Sequence, residues 1–285
     1  MVAGGAAIWL AVIAGLFYAA RRQGEPFSTQ FGGQLILWGG VVFPATVLMA
    51  LLAYALWLMP SLRPQPRSPP VGPLRIEVTG EQFWWRIKYR TENVQQPTEL
   101  ANEVRLPRGQ RVEFVLESRD VIHSFWIPSL GGKMDMIPGR TNRLSLLATK
   151  AGVFRGPCAE YCGTSHALMA IYAVVMEPAA FDTWLEGQSR PAENAGNGYR
   201  SFISNGCGAC HTIRGTEAAG TLGPDLTHMG SRQTIAAGIL PNTEEAIRRF
   251  IAEPQIVKPG SRMPSFGMIP EADLQAIGSY LKGLQ

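Results

Sequence analysis

Residues 158–169 read Cys-Ala-Glu-Tyr-Cys-Gly-Thr-Ser-His-Ala-Leu-Met, and the rest of the chain is interpreted outward from them. Two thiols four residues apart, an imidazole four further on and a thioether three beyond that make a dense set of soft donors. Thiolate, imidazole and thioether together select copper over the hard, oxygen-seeking cations. A mononuclear blue-copper site needs one Cys, two His and a weak Met. Here Cys158 and Cys162 supply two sulfurs, enough to bridge a pair of copper ions. The stretch holds a single histidine, His166, and His123 in Asp-Val-Ile-His-Ser-Phe-Trp is the obvious source of a second. Zinc is the competing reading; it favours sites closed by four N and S ligands, often in a Cys-x-x-Cys rhythm, and gives no reason for Met169.

The pattern Cys158-x-Glu160-x-Cys162-x-x-x-His166-x-x-Met169, preceded by Asp120-Val-Ile-His123-Ser-Phe, resembles the binuclear copper (CuA) centre of cytochrome c oxidase subunit II. The resemblance implies that Cys158 and Cys162 bridge both coppers while His123 and His166 each bind one. It makes the Met169 thioether and the Glu160 carbonyl the weak axial ligands. It further implies that the Glu160 carboxylate touches a magnesium ion at the border with subunit I.

The scarce residues extend this reading. The 285-residue chain has four Cys (158, 162, 207, 210) and four His (123, 166, 211, 228). Every Cys and three of the His fall in two cofactor-type motifs, leaving nothing for a disulfide framework. The formal charge of +4 is small and dispersed, with no run of five like charges, and argues against nucleic acid as a partner.

Apolar residues concentrate at the N-terminus. Gly4 to Ala20 is an uncharged run ending at Arg21-Arg22, about the minimum length to cross a bilayer at ~1.5 Å per residue. A cleaved signal peptide would want basic residues ahead of the apolar core, and Met-Val-Ala-Gly-Gly has none, so a retained helix is favoured. Gly32 to Met59 is a second uncharged run. Trp38 and Trp57 lie toward its ends, where indoles favour the headgroup region, and Pro44 inside it predicts a kink rather than a break. Residues 1–59 therefore read as a transmembrane hairpin. Arg21 and Arg22 place its loop on the cytoplasmic side, with Arg63 and Arg67 partly offsetting them. Residues 60–73 hold six prolines and read as an extended, semi-rigid spacer.

Residues 74–186 read as an all-β domain. Arg75-Ile-Glu-Val-Thr79 and Arg111-Val-Glu-Phe-Val-Leu116 alternate polar and apolar with period two, and Pro107-Arg-Gly109 and Pro138-Gly139 signal turns. Strands at this spacing suggest a Greek-key sandwich, and the resemblance implies a cupredoxin fold. In Gly80-Glu-Gln-Phe-Trp-Trp, the rings of Phe83, Trp84 and Trp85 suit core packing equally well. The resemblance makes them electron-transfer candidates, because a similar Gly-x-Gln-aromatic segment overlies the copper site in that family; its first aromatic there is tryptophan, and here it is Phe83. Arg86, Lys88 and Arg90 flank the cluster where members docking a soluble cytochrome c carry acids. Lys133, Asp135 and Arg140-Thr-Asn142 resemble the segment that faces subunit I, while Met134 and Met136 read as packing.

Phe181 to Gly187 reads as a short helix and residues 187–198 as a polar linker. Residues 199–285 begin with Tyr199-Arg-Ser-Phe-Ile203, an apolar-faced helix leading into Cys207-Gly-Ala-Cys210-His211. Cys-x-x-Cys-His is the attachment signature of a c-type haem, with thioethers from Cys207 and Cys210 and His211 on the iron. A thioredoxin-like pair would want a βαβ context. A four-sulfur zinc site shared with Cys158 and Cys162 leaves both following histidines unexplained. The second axial ligand lies among Met229, Met263 and Met268. Met263, in Pro259-Gly-Ser-Arg-Met-Pro-Ser-Phe266, resembles the methionine loop of small cytochromes c. Gly223-Pro-Asp-Leu226 resembles the segment whose proline carbonyl, here that of Pro224, orients the ligand histidine. Methionine opposite histidine raises a haem's potential. His228 reads as a surface or propionate contact. Thr243–Phe250 and Pro270–Leu284 read as helices with Thr243 and Pro270 at their starts.

The fold expected is a multidomain membrane protein: a two-helix transmembrane hairpin, a cupredoxin-like all-β Greek-key domain and an all-α class I cytochrome c domain. The resemblance covers essentially the whole chain and is to the subunit II of caa-type haem–copper oxidases. It implies electron flow from an external donor, cytochrome c or similar, through covalent haem c and CuA to subunit I. There, with the other oxidase subunits, oxygen is reduced and protons are pumped. The oxygen-reducing site is expected on another chain, since one unassigned histidine is too few to build it. Covalent haem attachment, which the resemblance places outside the cytoplasm, sets both soluble domains and both termini on the periplasmic or outer face of a bacterial inner membrane. The rival reading is a stand-alone membrane-tethered copper/haem electron-transfer protein. A quinol oxidase subunit II would lack these ligands, and a nitrous oxide reductase would need a second catalytic domain.

Overall fold

The computed structural model describes residues 2–21, 28–62, 74–90, 98–192 and 198–285. The chain divides into two compact units, Met1–Leu62 and Arg63–Gln285.

In the first unit, α1 (Val2–Arg21) is followed by α2 (Thr29–Leu35), a π-helical stretch Ile36–Val42, and α3 (Phe43–Leu62), the last three continuous. Ala3–Arg21 and Thr29–Pro60 are each long and apolar enough to cross a membrane. Leu16, Phe17, Leu48 and Trp57 are all more than half exposed, so apolar groups face outward, as a lipid environment requires. Pro44 acts through the π stretch just ahead of it. Proline has no N–H and crowds the carbonyl four residues back; the helix widens here, with Phe43 N bonding Trp38 O and Thr46 Oγ1 donating to Val42 O at 2.8 Å. Two expectations need correction. Trp38 lies nine residues after the helix start at Thr29 rather than near its end. Pro60, expected to open the spacer, sits inside α3, in its last turn, where it leaves the carbonyl of Leu56 without its helical donor. The rest of that spacer, residues 63–73, and Arg22 lie outside the described residues.

The second unit opens with a five-stranded sheet in the order β3-β2-β1-β5-β8, built from β1 (Arg75–Glu81), β2 (Trp84–Arg90), β3 (Thr98–Ala101), β5 (Arg111–Ser118) and β8 (Asn142–Leu147). β4 (Glu103–Pro107), β9 (Gly152–Pro157) and β10 (Ala170–Met176) form a second sheet, ordered β4-β10-β9. β6 (His123–Phe125) pairs with β7 (Met134–Met136). The period-two pattern of β1 is realised directly: Ile76 and Val78 are fully buried between half-buried Arg75, Glu77 and Thr79. Asn102, with φ of 62°, is the corner between β3 and β4, and its Oδ1 accepts from Trp85 N at 2.9 Å. The two sheets enclose one core containing Trp85, Phe114, Phe125, Met136 and Met169. Met136 is fully buried and Met134 packs against that core. α4 (Pro178–Gln188) closes it with Phe181 and Trp184.

A second core gathers Phe202, Ile247, Ile277, Tyr280 and Leu281 from α5 (Gly198–Ser204), α6 (Glu244–Ala252) and α8 (Glu271–Gly283), with α7 (Pro254–Val257) between the last two. α6 begins where its sequence says it should: Thr243 Oγ1 accepts from Ala246 N, and Glu244 and Glu245 fill the first turn. The helical expectation needs one addition, a two-residue ladder of β11 (Thr234–Ile235) and β12 (Leu240–Pro241). Of the expected 187–198 linker, Gln188 belongs to α4, and Ala192 already packs on the second core and donates to Arg214 O at 3.3 Å; residues 193–197 lie outside the described residues.

Candidate metal centre and cofactor cavity

The sulfur and imidazole donors converge in a buried pocket at one end of the sandwich. Cys158 follows β9, Cys162 lies on the following loop, His166 starts a 3-10 turn, and His123 opens β6. Cys158 Sγ and Cys162 Sγ are 4.0 Å apart. His123 Nδ1 lies 3.9 Å from Cys158 Sγ, His166 Nδ1 3.6 Å from Cys162 Sγ, and Met169 Sδ 3.8 Å from Cys162 Sγ. The Glu160 carbonyl is 3.3 Å from Cys158 Sγ, while its carboxylate points outward, 3.8 Å from Lys133 Nζ, which also holds Asp135 at 3.1 Å. His123, Cys158 and Cys162 offer donor atoms close enough for one ion. Both thiols, His123 and Met169 are buried. Such a set of soft donors fits copper and leaves the thioether of Met169 with a purpose that zinc would not give it.

The sequence reading gave no role to Asp120 or Gln82. Asp120 Oδ1 lies 2.9 Å from His123 Nε2, so the carboxylate fixes the ring and leaves Nδ1 facing the sulfurs. Its Oδ2 accepts from Gln82 N at 2.8 Å, and Gln82 Nε2 donates to Cys162 O at 2.6 Å. Gly80 makes room for the ring, since a Cβ there would come within 2.7 Å of His123 Cδ2. Electrostatics follow the geometry. Burial alone would depress His123, but Cys158 and Asp120 outweigh it and raise its pKa. Burial likewise opposes ionisation of Asp120, yet the bonds from His123, Gln82 and Val121 hold its carboxyl below the usual range. The thiols act as a pair: the Cys162 thiol stabilises a thiolate on Cys158, which falls to about 3, and that charge pushes Cys162 up.

Cys207, Cys210 and His211 line a cavity of about 590 Å³, within the range of small-ligand and cofactor sites. His211 Nδ1 donates to Pro224 O at 2.8 Å, which orients the ring and leaves Nε2 available. Burial lowers its pKa, against the pull of that carbonyl, so the imidazole stays neutral as an iron ligand must. Gly223 permits the close approach, because a Cβ there would fall 2.5 Å from the ring. Met229 and Met263 both line the cavity; Met268 is 79% exposed and does not. His228, expected at the surface or on a propionate, is buried and placed between two backbone carbonyls, Nδ1 at 2.6 Å from Gln285 O and Nε2 at 3.1 Å from Arg190 O. It ties the last residue to the chain ahead of α5.

The two sites adjoin. The segment carrying Met263 rests on the copper-type loop, with Ser165 Oγ donating to Pro259 O at 2.6 Å and Arg262 Nη2 3.6 Å from Asp120 Oδ2. Phe83 is buried and lines the cavity; a Cβ on Gly163 would meet its ring at 3.1 Å, and one on Gly260 at 3.2 Å. Trp84 also lines the cavity, beneath Arg86 at 4.6 Å, whereas Trp85 is fully buried and faces His123 edge-on at 6.0 Å. The expected basic flank is in fact paired: Arg86 with Glu81 at 2.7 Å and with Glu99, Lys88 with Glu99 at 3.5 Å, Arg90 with Glu77. Arg86 Nη2 then donates to Thr221 O at 3.0 Å, across to the helical module.

These features define a membrane-anchored fusion of a cupredoxin-like copper-type domain with a c-type cytochrome domain. Residues 90–176 match the family described as cytochrome c oxidase subunit II, periplasmic domain, and residues 195–285 match the family described as cytochrome c. Cytochrome c oxidase subunit 2 of Alkalihalophilus pseudofirmus is 41% identical over 215 residues, covering 74% of this chain and 61% of the relative. The Bacillus subtilis protein of the same name is 33% identical over 228 residues, covering 74% and 62%. This chain thus spans about three fifths of those relatives' length. The solved periplasmic domain of subunit II of the cytochrome oxidase of Bradyrhizobium japonicum is 32% identical, covering 43% of this chain and 97% of that one, with a TM-score of 0.39. Residues 90–176 thus belong to the cytochrome c oxidase subunit II periplasmic-domain family and residues 195–285 to the cytochrome c family.

Proposed function

We propose that this chain is the electron-accepting subunit of a respiratory haem–copper oxidase. It takes electrons from an external donor such as cytochrome c at a haem c and hands them through a CuA pair to subunit I. The observation that carries the proposal is the adjacency of the two donor sets, with Phe83 set against both the copper-type loop and the cavity wall. When bound, the copper pair and the haem supply one-electron redox chemistry; the protein supplies the rest. Cys158, Cys162, His123, His166, Met169 and the Glu160 carbonyl would hold the copper pair, and Asp120 keeps His123 aimed at the sulfurs. Cys207 and Cys210 would anchor the haem, His211 and Met263 would bind its iron, and Pro224 fixes the His211 ring. Donors fixed on a sheet framework and held by hydrogen-bonded partners move little as charge changes. Burial of Cys158, Cys162, His123 and Met169 excludes water from those donors, while His166 is half-buried. The outward carboxylate of Glu160, which shares Lys133 with Asp135, would touch a magnesium ion at the border with subunit I. The two apolar helices would anchor the chain in the inner membrane, with both soluble domains on the periplasmic or outer face and proton pumping carried out by the partner subunits.

The test is purification of the tagged chain from its native membranes. Co-purification with a large multi-helix subunit, together with reduction of copper following reduction of the haem, is expected. A stable single chain that still passes electrons between its centres would instead establish the stand-alone reading, and one that passes none would contradict both.

A further inference from the structure

The turn that carries two of the copper-type donors, His166–Leu168 with Met169 at its end, is held at both ends by the helical module. Ser165, fully buried and one residue ahead of His166, donates its Oγ to Pro259 O at 2.6 Å. Ala170, fully buried and one residue past Met169, donates its N–H to Ala237 O at 2.9 Å. The second bond fills a gap in the sandwich. Alternate residues of a strand face the same way, and on this edge of β10 Tyr172 N reaches Asn102 O at 3.0 Å. β4 starts only at Glu103, because Asn102, at φ 62°, brings the chain in from β3 of the other sheet. The Ala170 donor is therefore met from the helical module, and a buried N–H left without a partner would be costly.

The accepting carbonyl is presented by an unusual piece of backbone. Between β11 and β12, Ala236, Ala237 and Gly238 are all left-handed, with φ of 54°, 61° and 82°. Such angles are uncommon for residues with a side chain and persist where the surroundings impose them, often at functional sites. Two carbonyls of this turn are engaged: Ala237 O with Ala170, and Ala236 O with Lys258 Nζ at 2.9 Å, one residue ahead of Pro259. The lysine thus braces the two carbonyl-bearing segments against each other. Gly238 lies flat on β10, where a Cβ would fall 2.8 Å from the Tyr172 ring and 3.0 Å from Ala170 Cβ.

We propose that the Ala236–Gly238 turn and Pro259 form a bracket through which the helical module positions the copper centre, Ala237 and Pro259 fixing the two ends of the His166–Met169 turn. The inference rests on the copper reading above. Within the cupredoxin domain the Met169 main chain is tied to Cys158 N at 3.0 Å and to His166 O at 3.2 Å. The bracket adds a hold from the module that would carry the haem. A thioether is a weak copper ligand that tunes the potential of its site. Loosening the bracket lessens donation from Met169 to the oxidised copper pair, so the reduced pair gains.

The experiment uses the full chain matured with both cofactors. Gly238→Ala places a methyl against Tyr172 and Ala170 and should lift the turn off β10. Copper affinity, by competition with a chelator, should then fall about tenfold. The copper hyperfine pattern in paramagnetic resonance should change and the copper potential should rise. Gly215→Ala is the matched control in the helical module: it has a similar φ of 89°, and its Cβ would fall 2.7 Å from Pro191, away from the copper-type loop. It should leave the copper signals as in wild type. Ser165→Ala alters no atom of the helical module and should shift them as Gly238→Ala does, so the test stands even if Gly238→Ala attaches no haem. Unchanged copper signals in Ser165→Ala, or in a Gly238→Ala chain that keeps its haem, would overturn the bracket alone, as would an equal shift in Gly215→Ala. A wild-type chain that binds no copper pair would overturn the copper reading and the bracket together.

Discussion

The two histidines at the heart of the two sites are held in opposite ways. His123 is fixed through Nε2 by the Asp120 carboxylate and turns Nδ1 to the sulfurs, whereas His211 is fixed through Nδ1 by the Pro224 carbonyl and keeps Nε2 for the cavity. A carboxylate brings charge with orientation, and the pKa of His123 is raised; a carbonyl brings orientation with little charge, and burial lowers that of His211. The surroundings differ in the same sense. The copper-type donors already touch one another, with Sγ and Nδ1 atoms within 4.0 Å, while the haem-type ligands line a cavity of about 590 Å³. One site is shaped by its own side chains; the other is shaped for a large group and depends on that group for its packing.

The sharpest way to break this comparison is to remove one site and watch the other. Cys162→Ser should abolish the mixed-valence copper signal in paramagnetic resonance while pyridine haemochrome still reports one haem per chain. Loss of both would mean that the sites are not separately built. Next, Met263→Ala should convert the haem from low-spin His–Met to a form lacking the methionine charge-transfer band, whereas Met229→Ala should keep that band. Met229 is buried in the second core, so its truncation should instead lower stability by about 2–5 kcal/mol. The reverse spectral result would reassign the axial ligand.

Asp120→Asn addresses the comparison itself. It keeps the shape but removes the charge behind His123, and copper affinity by competition with a chelator should fall about 10–100-fold. An unchanged affinity would mean that orientation, not charge, is what Asp120 contributes.

The last test is a pH slope. Burial lowers the pKa of Lys258 to about 7 in the fold, from ~10.4 when unfolded. Between those values the unfolded chain binds the extra proton, so stability of haem-free protein should rise as pH goes from 7 to 10, by up to about 1.4 kcal/mol per pH unit. Denaturant titrations of wild type against Lys258→Met isolate this contribution; equal slopes would remove it.

Much of this was legible in the sequence because its signals are local. The copper-type donors other than His123 fall within twelve residues, Cys-x-x-Cys-His is contiguous, and the Pro224 contact to His211 spans only 13 positions. What was not legible depends on pairing across the sheet. Arg86, Lys88 and Arg90 look like an exposed basic strip along β2, yet register with β1 and β3 sets Glu77, Glu81 and Glu99 against them. His228 resembles a surface residue until the last residue of the chain folds back onto it. Lys258 has the sequence surroundings of any loop lysine, and only the packing of two modules buries it. Pro44 announced a disturbance, but composition alone does not rank a π stretch above a bend, and the bonds that mark it, Phe43 N to Trp38 O and Thr46 Oγ1 to Val42 O, show only in the fold.

If the scarce sulfurs and imidazoles of this chain serve two redox centres in one compact unit, a single preparation must hold both. An optical and paramagnetic-resonance spectrum of the purified, fully matured chain, with metal analysis on the same sample, tests it most directly. Two coppers and one covalent haem per chain are expected, with the signature of a delocalised copper pair beside a low-spin haem. Zinc at the Cys158–Cys162 site, or a colourless protein with four free thiols, would contradict it.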